Sequence, residues 1–561
     1  MWTLGINAGA HDAAACLLCD EEVAFAAAEE RMSRVRHQGG FPTQAVRAAL
    51  VQAEIDPDQI MAIGLSRPSP LLALGHDLLT LLRGRVRPSR QWLGEMALSF
   101  ARSRRGPGSG SGIGGAVGLS SARPVLRLGH HYCHALGAAA MSDAPELAVL
   151  VADGRGTRTA TSLWVRRHGR LQLLERKLFP DSLGLFYARI TQYLGFRPLA
   201  EEWKVMELAA WGERGCSMES FLLVGEDDYL VDGACLLGRG PHDLSALEQA
   251  FGPARRPEAP IEDLHRDIAF AAQEAVEGAM LALARRAVAL SGCRTLALAG
   301  GLALNSKVCG RIAESGVVDR VVVQPAAADD GSALGAALAA QLALGGRGRI
   351  APIGRVDWGR EESDTAIEAL LAGCGLTYRR TDDPAAAAAD RLARGRSVGW
   401  FQGRSEFGPR GLGQRSILLD PRAPRGSDRA SRILQDRWPR RPCISSVLRE
   451  RVGEFFEGCD DAPFGTMACR VRQDAAAVIP AVIEADGTAA VQTVDQTSSP
   501  LYWRLIRCFC RLTGVPVVLS TAFRVREEPV VDAALDALRA FFTSGLDSLI
   551  IGPFCVDKPG T

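Results

Sequence analysis

Three apolar strand patterns in this chain each lead into a turn of small residues. The first ends at Asn7-Ala8-Gly9, the second at Asp153-Gly154-Arg155-Gly156, and the third at Gly300-Gly301-Leu302-Ala303-Leu304-Asn305. Glycine lets a backbone approach a phosphate closely, and the N–H groups of such turns form anion-binding nests. A single turn of this kind is weak evidence, because any tight turn favours glycine. Three such turns, each after an apolar strand, indicate a protein that binds a nucleotide between them.

The chain alternates strand patterns with helical patterns. Apolar strand patterns occupy residues 147–152, 295–299 and 321–323, and helical periodicity occupies residues 264–290 and 332–344. Strands that alternate with helices indicate an α/β core. Together with the three turns, this order predicts an N-terminal domain of the actin/hexokinase-like (ASKHA) class. In that class two turns hold phosphates and the third holds the nucleoside.

The length of the chain argues for more than one domain. Its 561 residues suggest two or three. We predict a nucleotide- and metal-binding domain over residues 1–345, a linker over residues 346–361, and a smaller α/β domain over residues 362–561. The smaller domain has strand patterns of its own at residues 398–401 and 549–551.

Two histidines lie four positions apart in His130-x-x-x-His134. On a helix, residues i and i+4 share one face, so both imidazoles can reach one metal ion. Two ligands are an incomplete set, and the alternative is a pair of polar residues at a helix start. Asp153 and Asp329, near the ends of neighbouring strands, complete the set unless they only form turns. Mixed histidine and carboxylate ligands favour iron(II) or a similar divalent ion with open positions for phosphate oxygens.

Charge and apolar content argue against two classes of partner. The 65 Lys and Arg residues balance 64 Asp and Glu residues, so no general field attracts nucleic acid or an anionic membrane. No uncharged apolar run reaches the length of about 18 residues that a membrane helix needs. The N-terminus enters a strand pattern without the features of a signal peptide. Because the 14 cysteines are scattered, we expect a cytoplasmic protein with reduced thiols.

Residues 83–105 are rich in arginine, and a Gly/Ser stretch follows at residues 106–115. The composition favours a solvated helix and a flexible surface loop. The alternative is a site that recognises an anionic substrate or a carrier.

Several motifs occur in a fixed order along nearly the whole chain, with residues 65–125 the main gap. They are Glu29-Glu30-Arg31 with Phe41-Pro42, His130-His131-x-x-His134-Ala135, Asp153-Gly154-x-Gly156, Gly300-Gly301-x-Ala303-Leu304-Asn305, Gln324-Pro325-Ala326-x-x-Asp329-Asp330-Gly331 and Gly403-Arg404-x-Glu406-Phe407-Gly408-Pro409-Arg410-Gly411-Leu412-Gly413. Each motif alone is common, but the ordered set is specific. It resembles the carbamoyltransferase family that includes the nodulation, cephamycin and tobramycin O-carbamoyltransferases.

The resemblance implies an architecture and a reaction. The N-terminal domain would be similar to threonylcarbamoyl-transfer proteins, and the C-terminal domain would be YrdC-like. The C-terminal domain would convert carbamoyl phosphate and ATP to carbamoyl-adenylate. The N-terminal domain would then pass the carbamoyl group to a hydroxyl or amine of a small-molecule acceptor, or of one linked to a carrier or peptide. The cofactors implied are ATP, iron(II) or another divalent metal, and Mg²⁺ with the ATP; we also expect a homodimer.

The resemblance also implies roles for individual residues. His11 would take the acceptor's proton, since the pKa of an imidazole lies near neutrality. Arg36, where the family has a lysine, would be the second catalytic residue. The metal would be held by His130, His134, Asp153 and Asp329. The nucleotide would be lined by Gly154, Gly156, Glu202, Lys204, Gly300, Gly301 and Asn305. The donor would be bound by Arg410, Arg415, Arg437 and Arg441.

The chain departs from the family at several positions that bear on the donor and the nucleotide. Gln435 replaces a lysine, Ala490 an arginine, Ser520 an asparagine and Trp203 a glycine, while Arg440 and Arg524 are gained. A dianionic carbamoyl phosphate needs several cations or forked donors. The alternatives are therefore a metallo-ATP enzyme that uses another acyl donor, and a non-catalytic nucleotide-binding partner protein.

Overall fold

The chain is described from a computed structural model that covers residues 1–67, 115–118, 120, 123–156, 158–237, 243–424, 426–433 and 443–558. Its contacts divide the chain into two compact units. The first unit contains Met1–Val23, Gly39–Leu50 and Glu54–Ile353, and the second contains Ala24–Gln38, Val51–Ala53 and Gly354–Thr561. The division after Ile353 falls inside the linker predicted at residues 346–361. The two short N-terminal segments of the second unit are not anticipated by the sequence boundaries.

Fifteen α-helices occur in the described ranges. In chain order they are α1 (Glu29–Ser33), α2 (Thr43–Gln52), α3 (His130–Ala140), α4 (Leu183–Tyr193), α5 (Glu202–Ala209), α6 (Gly233–Leu237), α7 (Ser245–Phe251), α8 (Asp263–Ser291), α9 (Ser306–Glu314), α10 (Ser332–Ala343), α11 (Asp364–Gly373), α12 (Pro384–Ala393), α13 (Gly426–Ile433), α14 (Pro500–Thr513) and α15 (Ala534–Thr543). The long helical patterns predicted from the sequence correspond to α8 and α10. Among the helices described, none combines the length and the apolar character needed to cross a membrane.

The first sheet has five strands in the spatial order β3-β2-β1-β4-β5. The strands are β1 (Trp2–Asn7), β2 (Ala14–Cys19), β3 (Glu22–Ala28), β4 (Ile60–Leu65) and β5 (Val125–Arg127). β1 is antiparallel to β2 and parallel to β4, and β4 is parallel to β5.

The second sheet repeats this topology with other residues. Its strands are β6 (Leu147–Ala152), β7 (Thr159–Arg167), β8 (Arg170–Leu178), β11 (Thr295–Ala299) and β12 (Arg320–Val323), and a separate hairpin is formed by β9 (Leu222–Val224) and β10 (Tyr229–Val231). The spatial order is β8-β7-β6-β11-β12, with β6 antiparallel to β7, β7 antiparallel to β8, and β11 parallel to both β6 and β12. Each sheet, numbered from its own first strand, therefore has the order 3-2-1-4-5. This duplication is the actin/hexokinase-like fold, and the predicted class is confirmed.

Glycines in two neighbouring strands let α10 lie directly on the first sheet. Gly5 of β1 and Gly64 of β4 are partners across their parallel pair, and a Cβ atom on either would overlap the main chain of α10. α10 approaches α3 equally closely, because a Cβ atom on Gly335 would overlap the carbonyl oxygen of Cys133. This packing fixes α3, which carries both histidines, against the core of the first unit.

The second unit contains a mixed sheet of ten strands in the order β13-β22-β21-β14-β15-β20-β16-β19-β18-β17. The strands are β13 (Arg379–Arg380), β14 (Val398–Phe401), β15 (Arg415–Leu419), β16 (Ile444–Leu448), β17 (Phe456–Glu457), β18 (Met467–Val471), β19 (Thr488–Val494), β20 (Val517–Ala522), β21 (Ser548–Ile551) and β22 (Phe554–Asp557). Fully buried aromatic side chains, among them Trp400, Phe509 and Phe523, form its core. The unit is α/β as expected, and its likeness to YrdC stays a prediction.

Cys459 and Cys469 form a disulfide bond, which corrects the expectation that all thiols are reduced. Both side chains are buried, and their Cα atoms lie 6.1 Å apart, within the range that a disulfide spans. Scattered spacing along the sequence could not identify this pair, because a short loop before β18 brings the two residues together.

Candidate functional site

Four side chains converge at the carboxyl end of the second sheet. Asp153 directly follows β6, and Asp329 begins a short 3₁₀ turn (Asp329–Gly331) after β12. His130 and His134 lie one turn apart on α3. Each of the four offers one ligand atom, and these atoms all lie within 4.8 Å of one another. The structure thus brings together the four residues that the sequence analysis proposed as a metal set.

The spacing inside this four-residue cluster suits a single ion. The His130 Nε2 atom lies 3.0 Å from the His134 Nε2 atom, 3.1 Å from Asp329 Oδ1 and 3.3 Å from Asp153 Oδ2. Ligand atoms at about 2.1 Å from one first-row ion are roughly 3.0–3.4 Å apart for angles between 90° and tetrahedral. The three distances from His130 fall within this range, and the distance of 3.7 Å from His134 Nε2 to Asp329 Oδ1 lies slightly beyond it. Two imidazoles and two carboxylates suit a divalent ion in their chemistry.

A hydroxyl group faces the other nitrogen of His130. Ser66 Oγ lies 3.3 Å from His130 Nδ1, and Ser66 is buried directly after β4. Metal-bound histidines commonly use their second nitrogen in this way, which fixes the tautomer and the ring orientation. The contact keeps the Nε2 atom of His130 pointing at the carboxylates.

Charges within the cluster shift the pKa values of its members. Burial disfavours the charged form of His130, but Asp329 and Asp153 outweigh this and raise the pKa of His130 to about 10. Burial also opposes ionisation of the two carboxyl groups, yet His130 holds the pKa of Asp153 below its usual range and that of Asp329 well below. Both carboxylates are therefore ionised at neutral pH, as ligands of a cation must be.

His11 lies in the turn between β1 and β2, beside the same cluster. Its Nδ1 atom is 2.9 Å from Asp12 Oδ2 and 3.9 Å from Asp329 Oδ2. The hydrogen bond with Asp12 raises the pKa of His11 to about 9, against the opposing effect of burial. The buried Asn7 side chain donates to the Asp12 carbonyl at 2.8 Å, which fixes the turn. Because Asp12 holds Nδ1, Nε2 is the nitrogen through which His11 can act on a substrate.

Two of the glycine turns lie beside the cluster. Gly154 directly follows Asp153, and Gly156 lies two residues further along the same turn. The Gly301 N–H group donates to Asp153 Oδ1 at 3.3 Å. Gly300 has a φ of 89°, and a Cβ atom there would overlap the end of β6, so the position requires glycine. The turns after β6 and β11 therefore bring glycine main chain next to Asp153, one of the four residues of the cluster.

Asn305 is held by protein groups. Its Oδ1 atom accepts the Val308 N–H at 3.2 Å as the N-cap of α9. Its amide also exchanges two hydrogen bonds with Gln273 of α8, at 2.9 and 3.1 Å, and the Tyr187 hydroxyl donates to Gln273 at 2.7 Å. A nucleotide would have to share Asn305 with this network, and the predicted contact stays a prediction.

Glu202 and Lys204 lie in the first turn of α5. Lys204 Nζ donates to Glu201 Oε1 at 2.8 Å and lies 5.5 Å from the Trp203 ring and 5.4 Å from the Phe196 ring. Glu202 accepts a main-chain N–H group from the preceding loop at 2.5 Å. The tryptophan that replaces the family's glycine thus contacts the lysine proposed to bind nucleotide.

The remaining predicted residues belong to the second unit. Arg36 Nη1 lies 3.1 Å from Glu527 Oε2, and Arg410 is half-buried. Arg415 is fully buried, and its guanidinium donates to main-chain carbonyl groups. Arg437 and Arg441 lie outside the described residues. The catalytic role of Arg36 and the donor contacts of the arginines stay predictions.

Three supporting residues were not anticipated from the sequence, namely Ser66, Asp12 and Gln273. Asp12 carries a usable signal, since a carboxylate next to a candidate histidine base often orients it. Gln273 carries a weaker one, because it is a polar residue on the buried side of an otherwise apolar helix face. Ser66 has no signal beyond its place at a strand end.

The duplicated topology and the strand-end cluster define the class of this chain as an α/β protein with an actin/hexokinase-like domain and a candidate metal centre. Two profiles of one family match it, "Carbamoyltransferase N-terminus" over residues 112–338 and "Carbamoyltransferase C-terminus" over residues 389–558. The nodulation protein NolNO of Sinorhizobium fredii is 34% identical over 98% of this chain and 80% of that protein. The chain belongs to the carbamoyltransferase family and is an enzyme of that class.

A second relative and one solved structure are similar over shorter parts. The 3'-hydroxymethylcephem-O-carbamoyltransferase of Streptomyces clavuligerus is 29% identical over 46% of this chain and 47% of that enzyme. Full-length HypF in its phosphate- and nucleotide-bound form is 13% identical and covers 62% of this chain and 56% of its own, with a TM-score of 0.37.

Proposed function

We propose that this enzyme uses ATP to transfer a carbamoyl group from carbamoyl phosphate, through carbamoyl-adenylate, to a hydroxyl or amine of a specialised metabolite. The observation that carries the proposal is the convergence of His130, His134, Asp153 and Asp329 beside the glycine turns. The name of the cephem carbamoyltransferase supports a small-molecule acceptor. An enzyme that uses ATP is expected in the cytoplasm, and this location, a carrier-linked acceptor and a homodimer stay predictions.

We assign donor activation to the second unit. Carbamoyl phosphate is a poor acyl donor to an alcohol. Water would release its phosphate, and the resulting carbamate oxygen would bond to the α-phosphorus of ATP as pyrophosphate leaves, so that AMP becomes the better leaving group of the carbamoyl-adenylate. Arg410, with Arg437 and Arg441, would supply the forked positive charge that the donor phosphate requires. The YrdC-like character of this unit belongs to the same proposal.

We assign carbamoyl transfer to the first unit. The four-residue cluster would hold iron(II) or a similar ion, which when bound supplies positive charge next to the phosphate of the leaving group. Main-chain N–H groups of the turns after β6 and β11 would donate to phosphate oxygens, other than those of Gly156, Gly300 and Gly301, which donate to protein oxygens. His11, with Nδ1 held by Asp12, would accept the acceptor's proton at Nε2 in the fraction of the enzyme in which it is neutral. Because its pKa of about 9 keeps His11 mostly protonated at pH 7, this fraction increases as the pH rises towards 9.

A second candidate is transfer of a different activated acyl group. Sequence departures favour it, since Gln435 and Ala490 replace two cations of the family's donor site. The alternative of a non-catalytic nucleotide-binding protein is not retained, because the chain belongs to a family of enzymes. His11 also lies 3.9 Å from Asp329 of the four-residue cluster.

The proposal is tested by pyrophosphate release from ATP in the presence of iron(II), with and without carbamoyl phosphate. We expect release that depends on carbamoyl phosphate, together with formation of an AMP-linked carbamate. Transfer of the carbamoyl group to an acceptor alcohol should be lost in His130→Ala and kept in His168→Ala, an exposed histidine in the turn between β7 and β8. Absence of carbamoyl-dependent release from protein that binds iron normally would contradict the proposal and favour another donor.

A further inference from the structure

Arg415 closes the base of the loop of residues 402–414, which joins β14 to β15. Its guanidinium is fully buried. Nη1 donates to the carbonyl oxygens of Gln402 at 2.7 Å and Gln414 at 3.3 Å, and Nη2 donates to that of Gly403 at 3.0 Å. These three carbonyl groups lie at the beginning and the end of the loop. The planar fork of one arginine therefore joins the two ends.

Arg31 holds the middle of the 402–414 loop. It comes from α1, which belongs to the second unit although it lies near the start of the sequence. Only 3% of Arg31 is exposed, and its Nη2 donates to the carbonyl oxygens of Glu406 at 3.2 Å and Gly408 at 2.7 Å. Gly408 has a φ of 114°, a conformation that a residue with a side chain rarely adopts.

Glu406 fixes the returning half of the same loop. Its Oε1 atom accepts the N–H groups of Leu412 at 2.6 Å and Arg415 at 3.2 Å, and its side chain is 3% exposed. Arg410 lies between Gly408 and Leu412, two residues from each of these fixed positions. The loop's main chain is therefore held on both sides of Arg410.

Arg404, another arginine of the 402–414 loop, donates to main-chain carbonyl groups outside the loop. Arg404 Nε donates to the carbonyl oxygen of Gly359 at 3.0 Å, and its Nη2 donates to that of Trp358 at 2.5 Å. Arg404 therefore ties the loop to the segment that precedes it in the second unit. Arg410 is the arginine of the loop that the proposed function assigns to the donor.

We propose that Arg31, Arg415 and Glu406 are positioning residues, which hold the 402–414 loop in one conformation so that Arg410 meets the anionic donor without rearrangement. This assigns to Arg415 a place behind the donor site rather than contact with the donor, and it rests on the proposed function. Buried charges are costly to keep, and removing one partner leaves the others unpaired. Burial also lowers the pKa of Arg415 to about 10. Such support raises the affinity of an arginine for its ligand, because a loop that is already ordered loses no conformational freedom when the ligand binds.

Hydrogen–deuterium exchange of the full-length enzyme tests whether the loop is held. The variants are Arg31→Met, which removes both carbonyl contacts, and Arg31→Lys, which keeps the charge but lacks the planar fork. The control is Arg391→Met, because Arg391 is a 7%-exposed arginine of the same unit that binds Asp557 at 2.9 and 2.6 Å. We expect amide exchange in residues 402–416 to be at least about tenfold faster in Arg31→Met, intermediate in Arg31→Lys and unchanged in Arg391→Met.

Steady-state kinetics with carbamoyl phosphate test whether the held loop serves the donor. We expect KM for carbamoyl phosphate to rise about tenfold or more in Arg31→Met, with a smaller change in kcat, and to stay at the wild-type value in Arg391→Met.

If Arg31→Met does not fold, Arg31→Lys is used for both measurements. Unchanged exchange in residues 402–416, or an equal change in Arg391→Met, would overturn the positioning role. Faster exchange with unchanged KM would overturn the link to the donor. A wild-type enzyme with no carbamoyl-dependent turnover would refute the proposed function, while exchange would still decide whether these residues hold the loop.

Discussion

The Nε2 atoms of His130 and His134 face each other at 3.0 Å on adjacent turns of one helix. Two neutral imidazoles can lie at this distance only if the N–H group of one donates a hydrogen bond to the nitrogen of the other. A cation between them lets both nitrogens use their lone pairs, and the carboxylates of Asp153 and Asp329 lie at the same place. The arrangement gathers lone pairs and negative charge where a bound ion would stabilise them.

Replacement of His134 by alanine is expected to abolish most iron(II) binding, because it removes one of two imidazole ligands from a buried site. Iron is measured per protein after anaerobic gel filtration, and the wild type should retain about one equivalent. Added iron(II) at about 100 times Kd should also stabilise the wild type by about 2.7 kcal/mol and raise its Tm, with no such shift in the variant. His168→Ala is the control. Equal iron contents in His134→Ala and the wild type would show that the ion is not held here.

The sequence could indicate this cluster because each of its signals is local or follows a general rule. His130 and His134 share a helix face whatever surrounds the helix. Asp153 and Asp329 come after strands whose carboxyl ends meet at one edge of an α/β sheet. The duplicated 3-2-1-4-5 topology then places those ends beside α3.

Other parts of the site depend on packing that no local pattern contains. Gln273 and Asn305 exchange hydrogen bonds between α8 and the start of α9, and the approach of two helices cannot be read from either pattern alone. Arg31 belongs to the second unit through contacts with a loop 375 residues away at Glu406. Arg415 is predicted from the resemblance to bind the donor, and only the structure reveals that it is buried and that its donors face main-chain carbonyl groups.

Gly300→Ala is expected to destabilise the protein by about 2–4 kcal/mol, because the φ of 89° and an overlap with the end of β6 act together. The control is Gly169→Ala, in the turn between β7 and β8. Gly169 has a φ of 71° but no atom within 4 Å of its added Cβ, so only backbone strain of about 1 kcal/mol should appear. Urea unfolding measures both. Equal losses in the two variants would show that the overlap contributes nothing.

Asn305→Ala is expected to cost about 2–3 kcal/mol, since it removes the N-cap of α9 and leaves Gln273 without its amide partner. Asn305→Asp keeps an oxygen for the Val308 N–H group and for the Gln273 amide, and it should cost less. The free energies of unfolding are compared in urea without nucleotide. If the aspartate variant were the more destabilised, the N-cap would not be the main contribution of Asn305.

Reduction of the bond between Cys459 and Cys469 is expected to lower the free energy of unfolding by about 3 kcal/mol. The bond joins residues ten apart in the sequence, and closing a loop of that size restricts the unfolded chain by about this amount. Urea unfolding with and without a thiol reductant measures the difference. The double variant Cys459→Ser with Cys469→Ser should match the reduced protein and show no response to reductant. Among the described cysteines, the other buried thiols are free, so any response that persists in the double variant would place the redox effect elsewhere.

Differential alkylation gives the complementary result, because both cysteines should resist labelling until the reductant is added. Immediate labelling of both in protein purified without reductant would contradict the bond.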